Sequence, residues 1–386
     1  MQKSRNKKGI GKIKNITLVD MPLLITVFIL LGLGLIMVLS ASAPSALATY
    51  GNSYQNLLTQ LKAAGIGLLA MVFFINFDYT KLKKHYFIIY LISVALLFLV
   101  VVPKIGVESN GAKRWIKIGS LQLQPSEITK IGLIISLAGY YTDEKIKHNN
   151  FWKCVLIPLI CVGAPIIILL TIQNHLSAGA VIGIISLIII IMSGNMQGYV
   201  LRTTGLGAVC AAGLVLLKQA KGSEKSFRAD RIEAWLHPLE NASGTAYQTT
   251  QGLYAIGSGR LFGVGIGNSK KKYSYIPEAH NDFIFAIIAE ELGFVGCIFV
   301  IALFIVFTIR GILIAMRAKD MFGSLVAIGI TSLIAFQAIL NIAVVTNSIP
   351  NTGISLPFLS YGGSSLIILL ASVGILLSIS KVEKKI

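Results

Sequence analysis

Charge is what this sequence has least of. Asp, Glu, Lys and Arg make up 13% of its 386 residues, about half the share found in soluble globular chains. A water-facing protein of this size cannot solvate itself with so few, which excludes a soluble enzyme and a disordered chain. Cysteine is scarce too. Cys154, Cys161, Cys210 and Cys297 lie inside apolar runs with no CxxC or metal-ligand spacing, which excludes a disulfide-stapled secreted domain and leaves them as small core hydrophobes. No repeat at a period of roughly 20–50 residues and no low-complexity tract interrupts the chain. HExxH, paired-carboxylate and Ser/His/Asp motifs are missing as well. Acidic residues are the rarer charge, 16 against 34 Lys and Arg, for a net +18 at pH 7. The basic residues are scattered between apolar runs and form no soluble domain, so the excess points to anionic lipid headgroups and away from nucleic acid.

What is abundant is hydrocarbon: 55% of residues are apolar and the mean hydropathy is +0.77. A transmembrane helix takes about 20 apolar residues, and ten apolar runs fall at 21–40, 57–77, 86–102, 126–141, 154–172, 176–193, 199–217, 292–309, 321–346 and 364–380. The expected fold is therefore an all-α polytopic membrane protein of about ten helices with both termini on one side. A basic tail over 1–20, one transmembrane domain over 21–380 and a short tail over 381–386 complete it. The first run resembles a signal peptide, with Ala41-Ser42-Ala43 as a cleavage-like site, but it is too long for an h-region and Pro44 follows at once, so it reads as a retained span. The Lys/Arg bias of short connections sets the orientation. The amino-terminal tail, the turns at Lys81/Lys83/Lys84, Lys145/Lys147/Lys153 and Arg310/Arg317/Lys319, and the tail at Lys381/Lys384/Lys385 face the cytoplasm.

Two outward connections break that pattern. One spans Pro103 to Pro125 and carries Lys104, Lys113, Arg114 and Lys117; the other, over 218–291 between the seventh and eighth spans, is the one long hydrophilic loop. In the first, Lys113 and Arg114 adjoin Trp115. Two readings stand: an aromatic-belt residue with lipid-anchoring cations, or cations that bind phosphate oxygens. Next, Pro125 opens a helix that puts Glu127 and Lys130 three apart on one face, either an ion pair locking two helices or a substrate contact. The glycines of Gly263-Val264-Gly265-Ile266-Gly267 lack the GKS/GKT of a nucleotide site and read as permitting backbone turns against the membrane surface. Asp282 precedes the eighth hydrocarbon run by about 15 Å of helix, at headgroup depth, as a reactive carboxylate or a helix cap. His280 and His175 read as ordinary polar caps ahead of ligands.

Taken together, Asn110-Gly111-Ala112-Lys113-Arg114-Trp115, Gln124-Pro125-Ser126-Glu127 with Lys130, Tyr247-Gln248, Gly263 to Gly267, Pro277-Glu278-Ala279-His280-Asn281-Asp282-Phe283-Ile284-Phe285-Ala286, Glu290-Glu291-Leu292-Gly293 and Leu356-Pro357-Phe358-Leu359-Ser360-Tyr361-Gly362-Gly363-Ser364-Ser365 resemble the SEDS family of bacterial cell-wall proteins, RodA, FtsW and SpoVE. The resemblance covers nearly all ten spans in order, and Pro277-Glu278-Ala279-His280 leans to the division and sporulation branch. Two departures stand out: Asn174-His175 replaces a common Pro-Asp, and Asn281 a common threonine.

The resemblance implies a peptidoglycan glycosyltransferase that polymerises lipid II at the outer face of the bacterial cytoplasmic membrane. It makes Asp282 the match to the family's essential aspartate and Trp115 the match to its tryptophan. The substrate-binding set it implies is Lys113, Arg114, Trp115, Lys117, Gln124, Ser126, Arg260, Glu278, His280, Ser360 and Ser364, with Glu127 and Lys130 as an ion pair. A divalent cation, Mg or Mn, is an expected helper at an unspecified site, with no organic cofactor. Expected partners are lipid II, a class B penicillin-binding transpeptidase and other divisome or elongasome membrane proteins. The rival classes are a flippase for a lipid-linked precursor, which should show repeats, interrupted helices and midplane charges, and a non-catalytic scaffold.

Overall fold

The computed structural model describes residues 19–102, 105–109, 112–118, 121–144, 146, 152–194, 233–240, 242, 244, 246–273 and 275–381. Helices dominate: α1 (Met21–Tyr50), α2 (Gln55–Asn76), α3 (Thr80–Lys84), α4 (Tyr86–Leu99), α5 (Pro125–Tyr141), α6 (Ile157–Thr171), α7 (Leu176–Met192), α8 (Tyr247–Gly259), α9 (Ile284–Arg317), α10 (Met321–Val345) and α11 (Gly363–Ser380). Nine of the ten apolar runs coincide with helices among the described residues; the seventh, 199–217, lies outside them, as do Cys210 and Lys104. Among the described residues, six segments are long and apolar enough to cross a membrane: α1, α2, α9, α10, α11, and α6 together with the π-helical turn Trp152–Leu156 that leads into it. Helices α4 and α7 are apolar but shorter.

Helix ends follow local chemistry. Asp20 caps α1 by accepting the Leu23 N–H at 2.9 Å, with Pro22 in the first turn where its missing donor costs nothing. Asp320 caps α10 in the same way through Gly323 N–H at 2.7 Å. Burial divides the bundle into an inner set and a lipid-facing set. Helix α11 packs along α2, and α10 packs on α5, α7 and α9, so α5, α10 and α11 are buried along most of their length. On α4 only Ser93 and Leu97 are buried, and it turns Phe87, Ile88, Leu91, Ile92 and Phe98 outward.

Three expectations need correction. Helix α1 runs ten residues past its apolar run, through Ala41-Ser42-Ala43 and Pro44 to Tyr50, because small residues and serines are tolerated in a helix packed on neighbours. The polar connection drawn over 218–291 stops at Phe283: α9 begins at Ile284, within the helical stretch expected ahead of the hydrocarbon run, and Glu290 and Glu291 are buried in it with hydrogen bonds from the Lys270 N–H and from Ser40. The Pro103–Pro125 connection is not plain loop. It holds an antiparallel sheet in the order β1 (Gly106–Ser109), β2 (Ala112–Ile118), β3 (Leu121–Leu123), built on the Val, Ile and Trp residues that favour strands.

Candidate functional site

Asp282 stands at the end of a turn-rich connection, two residues before α9, in a half-buried position. The capping reading does not hold: the cap position is Phe283, and no side chain caps that helix start. Instead the peptide groups around Asp282 are tied down one by one. The His280 carbonyl accepts the Tyr361 N–H at 2.9 Å. The Asn281 carbonyl accepts Ser360 Oγ–H at 2.7 Å. The Asp282 carbonyl accepts Asn341 Nδ2–H at 2.7 Å. Three consecutive carbonyls are thus held by α10 and by the segment entering α11.

That segment is itself braced. Ser360 Oγ also accepts the Leu356 N–H at 2.7 Å, Gln60 of α2 clips the same turn through Ser360 O at 3.2 Å and Gly362 N at 3.1 Å, and Asn341 donates again to Ile354 O at 2.7 Å. The turn lines only a small cleft, about 10 Å³ in volume. Gly353 lies against the acid: a β-carbon there would sit 3.2 Å from Asp282 Oδ2. Upstream, Gln248 donates to the Pro277 carbonyl at 2.9 Å, and Asn281 Nδ2 donates to Glu278 Oε2 at 2.7 Å.

Glu278, exposed and held at a positive φ of 51°, faces His280, with 3.7 Å between its Oε2 and His280 Nε2. The His280 ring packs edge-on against Tyr361 at 5.4 Å. Burial pushes the His280 pKa below its ordinary value, and the Glu278 carboxylate opposes the shift.

The strand residues reach this group by a second route. In β1–β2 pairing Val107 faces Trp115 but Glu108 faces Lys113, so Arg114 is the extra residue of a bulge, a device that re-aims a side chain. Its guanidinium donates to the carbonyls of Gln173 at 3.2 Å and Asn174 at 2.7 Å, between α6 and α7. There His175 caps α7 through Ala178 N–H at 3.1 Å, and Ser177 donates to the Thr352 carbonyl, one residue from Gly353. Trp115 is half-buried, Ile116 buried, and Lys113 and Lys117 exposed. Gln124 precedes α5 without capping it.

Glu127 and Lys130 form the ion pair expected from their spacing, at 2.7 Å and almost fully buried. At that end of α5 Ser126 Oγ is buried without a hydrogen-bond partner; so are Ser364 Oγ, Thr352 Oγ1, Asn341 Oδ1 and Asn281 Oδ1. Such atoms are costly unless something polar meets them. Arg260 ends α8, exposed and at a positive φ of 49°. Among the described residues, no three His, Cys, Asp or Glu side chains converge as metal ligands.

The clustering of Asp282 with Glu278, His280 and Ser360 follows the motifs read in the sequence. Gln60 and Asn341, which hold the site's backbone, were missed. Each lies inside an apolar run, and a polar side chain there was the available signal.

The chain matches known proteins along its length. A family model described as cell cycle protein, FtsW/RodA/SpoVE, covers residues 21–385. Stage V sporulation protein E of Bacillus subtilis is 40% identical over 365 residues, 95% of this chain and 98% of that protein. The probable peptidoglycan glycosyltransferase FtsW of Trichlorobacter lovleyi is 38% identical, over 94% of this chain and 93% of that one. Among solved structures, a chain from work on the structural coordination of polymerization and crosslinking by a peptidoglycan synthase complex aligns with a TM-score of 0.77 at 26% identity, covering 94% of this chain and 97% of that one. The rod shape determining protein RodA of Thermus thermophilus aligns at 0.67 and 26%, over 94% and 96%.

Proposed function

The chain belongs to the FtsW/RodA/SpoVE family, whose curated members include peptidoglycan glycosyltransferases, and we propose that Asp282 is the base with which it polymerises lipid II. The protein is a peptidoglycan glycosyltransferase and an integral membrane protein. In the proposed reaction Asp282 accepts the proton of the acceptor N-acetylglucosamine 4-hydroxyl as that oxygen attacks C1 of the donor N-acetylmuramic acid. The C1–O bond to the pyrophosphate breaks, the lipid pyrophosphate leaves with the electron pair, and the anomeric centre inverts. The site then faces the outer side of the cytoplasmic membrane, where exported lipid II resides.

The observation that carries this reading is the pinning of the carbonyls of His280, Asn281 and Asp282 by three separate donors. A base is effective only when its carboxylate is presented within hydrogen-bond reach of the proton it takes, and tying down the peptide groups on either side fixes that presentation. A positioned base contributes about 10²–10⁴ in rate, so charge building on the leaving group needs separate stabilisation. Lys113 and Lys117, exposed on β2 beside Trp115, and Arg260 are the cations proposed to meet it. Arg114 serves at one remove, holding the Gln173–Asn174 turn. Buried hydroxyls without partners, Ser126 and Ser364 among them, fit a polyhydroxylated substrate. The proposed partner is a class B penicillin-binding transpeptidase, as the likeness to a chain of a synthase complex supports.

The test is purified protein, with and without that partner, incubated with lipid II and resolved on a gel. Wild-type protein gives glycan polymer, and Asp282→Asn lowers the rate by at least about a hundredfold while keeping wild-type thermal stability in detergent. Wild-type polymer from Asp282→Asn would overturn the assignment, and transport of lipid II without polymer would favour a flippase.

A further inference from the structure

Helix α9 contains a break that another part of the chain fills. At Gly293 the backbone leaves helical geometry, with φ 68° and ψ −167°, so the amides of Phe294 and Val295 lose the Glu290 and Glu291 carbonyls that an unbroken ladder would offer. The connection after α8 supplies both halves of the missing bonds. Phe294 N–H donates to the Arg260 carbonyl at 2.9 Å and Val295 N–H to that of Leu261 at 3.1 Å, while the Glu290 and Glu291 carbonyls accept the N–H groups of Val264 and Gly265, both at 3.0 Å. Contact is too close for a side chain on either strand. A β-carbon on Gly263 would lie 2.1 Å from the Glu291 carbonyl oxygen, and one on Gly293 2.3 Å from Gly263 N. The glycine run is therefore there to enter the gap in a helix, a more specific task than turning at a membrane surface.

Side chains lock the insertion. Ser40 Oγ of α1 lies 2.6 and 2.7 Å from the two Glu291 oxygens. Lys272 Nζ stands 3.2 Å from Glu291 Oε1, 3.2 Å from Ser40 Oγ and 2.5 Å from the Gly267 carbonyl. Glu290 takes Ser269 Oγ–H at 2.5 Å and the Lys270 N–H at 3.0 Å, and the Ser269 N–H reaches Glu291 at 3.3 Å. Lys272, Glu290 and Glu291 are all at least nine-tenths buried. Such charges are expensive at membrane depth and mark function more often than packing.

We propose that this latch, with Lys272 and Glu291 as its positioning residues, holds Asp282 in place for glycosyl transfer. The inference rests on the reading of Asp282 as the base. Between the break and Asp282 lies one short helical piece, residues 284–292, about 13 Å long. Its Asp282 end is pinned by Asn341, Ser360 and Tyr361, and its other end by the 260–272 connection and α1. Fixing both ends removes rotation and sliding of the piece, and a displacement of about 1 Å at a reacting group costs about a hundredfold in rate.

The experiment uses full-length protein in nanodiscs. The double variant Lys272→Met/Glu291→Gln removes both charges together, so neither is left buried alone. Expected are faster hydrogen exchange at the amides of residues 264–265 and 294–295, and a kcat at least about tenfold lower with KM for lipid II within about twofold. Lys272→Arg, which keeps the charge, should restore most of the rate. Should the double variant fail to fold, Ser40→Ala, which keeps both charges, is expected to lower kcat several-fold with the same exchange signature. Unchanged exchange, or faster exchange with wild-type kcat, would overturn the proposal while leaving Asp282 as the base. A wild-type protein that makes no polymer would instead remove the underlying reading, and the inference with it.

Discussion

Asp20 and Asp282 each stand just before a long helix, yet they lie at opposite ends of the bundle: Arg310, which binds Asp20, is on the same α9 that begins beside Asp282. At the Asp20 end the interactions go to the carboxylate. One oxygen caps Leu23 and meets Arg310 Nε at 3.1 Å, the other meets the same guanidinium, and the Asp20 N–H donates to Ser380 at 3.1 Å. Three helices, α1, α9 and α11, meet at this one residue. At the Asp282 end the interactions that define the site go to the backbone, through the carbonyls of residues 280, 281 and 282. A carboxylate bound to an arginine and an amide serves the fold, whereas a carboxylate delivered by a pinned backbone can be aimed. The difference separates two residues of one chemical type by what the protein holds fixed.

The sharpest way to break that contrast is to remove each charge in turn. Asp20→Asn removes the carboxylate charge that Arg310, about a quarter exposed, binds. The expected loss is about 2–3 kcal/mol of stability, below the range for a fully buried pair because of that exposure. Thermal unfolding in detergent measures it, and the polymerisation rate per folded molecule should stay within about twofold of wild type. Asp282→Asn should show the converse pattern. A large rate loss in Asp20→Asn at unchanged stability would erase the distinction between the two ends.

A second variant asks whether the backbone clamp matters apart from the carboxylate it presents. Asn341→Leu keeps the volume but withdraws the donor from both the Asp282 and Ile354 carbonyls. Each stranded carbonyl costs about 1–3 kcal/mol if nothing replaces the bond, and the looser turn should lower kcat by about tenfold or more with little change in KM. Initial rates over a range of lipid II concentrations decide it. Wild-type kcat in that variant would mean that Asp282 needs no such support.

Much of this was readable in advance, for identifiable reasons. Apolar runs announce helices wherever burial in lipid dominates, and α2, α7, α10 and α11 begin and end within a few residues of them. The Glu127–Lys130 pair followed from helical spacing alone. The end of α1 was misplaced, because it extends through small residues; the helical stretch ahead of the eighth apolar run was expected, but the partners of its two buried glutamates, Ser40, Ser269 and Lys272, are revealed by no local pattern. The sheet was missed although Asn110-Gly111 between two runs of Val, Ile and Trp is a hairpin signal in the sequence. The bulge at Arg114 was out of reach, since it depends on which residue the opposite strand leaves unpaired.

The smallest effect tests the Asp282 end by acid. His175 caps α7 as a neutral ring, accepting the Ala178 N–H on Nδ1 at 3.1 Å. Burial, helped by the nearby charges of Arg114 and Lys130, pushes its pKa down to about 3. The unfolded chain, with a pKa near 6.5, binds this proton more readily than the folded one, so stability rises with pH through that interval. The contribution is complete above about pH 6.5 and is lost progressively as the pH falls toward 3. Asn retains a capping oxygen but does not titrate. Thermal unfolding of wild type and His175→Asn between pH 5 and pH 8 should therefore give curves that run parallel above pH 7 and separate below it, with the wild type falling further. Parallel decline at acid pH would show that the ring is not held neutral, and that the turn gripped by Arg114 is looser than the segment presenting Asp282.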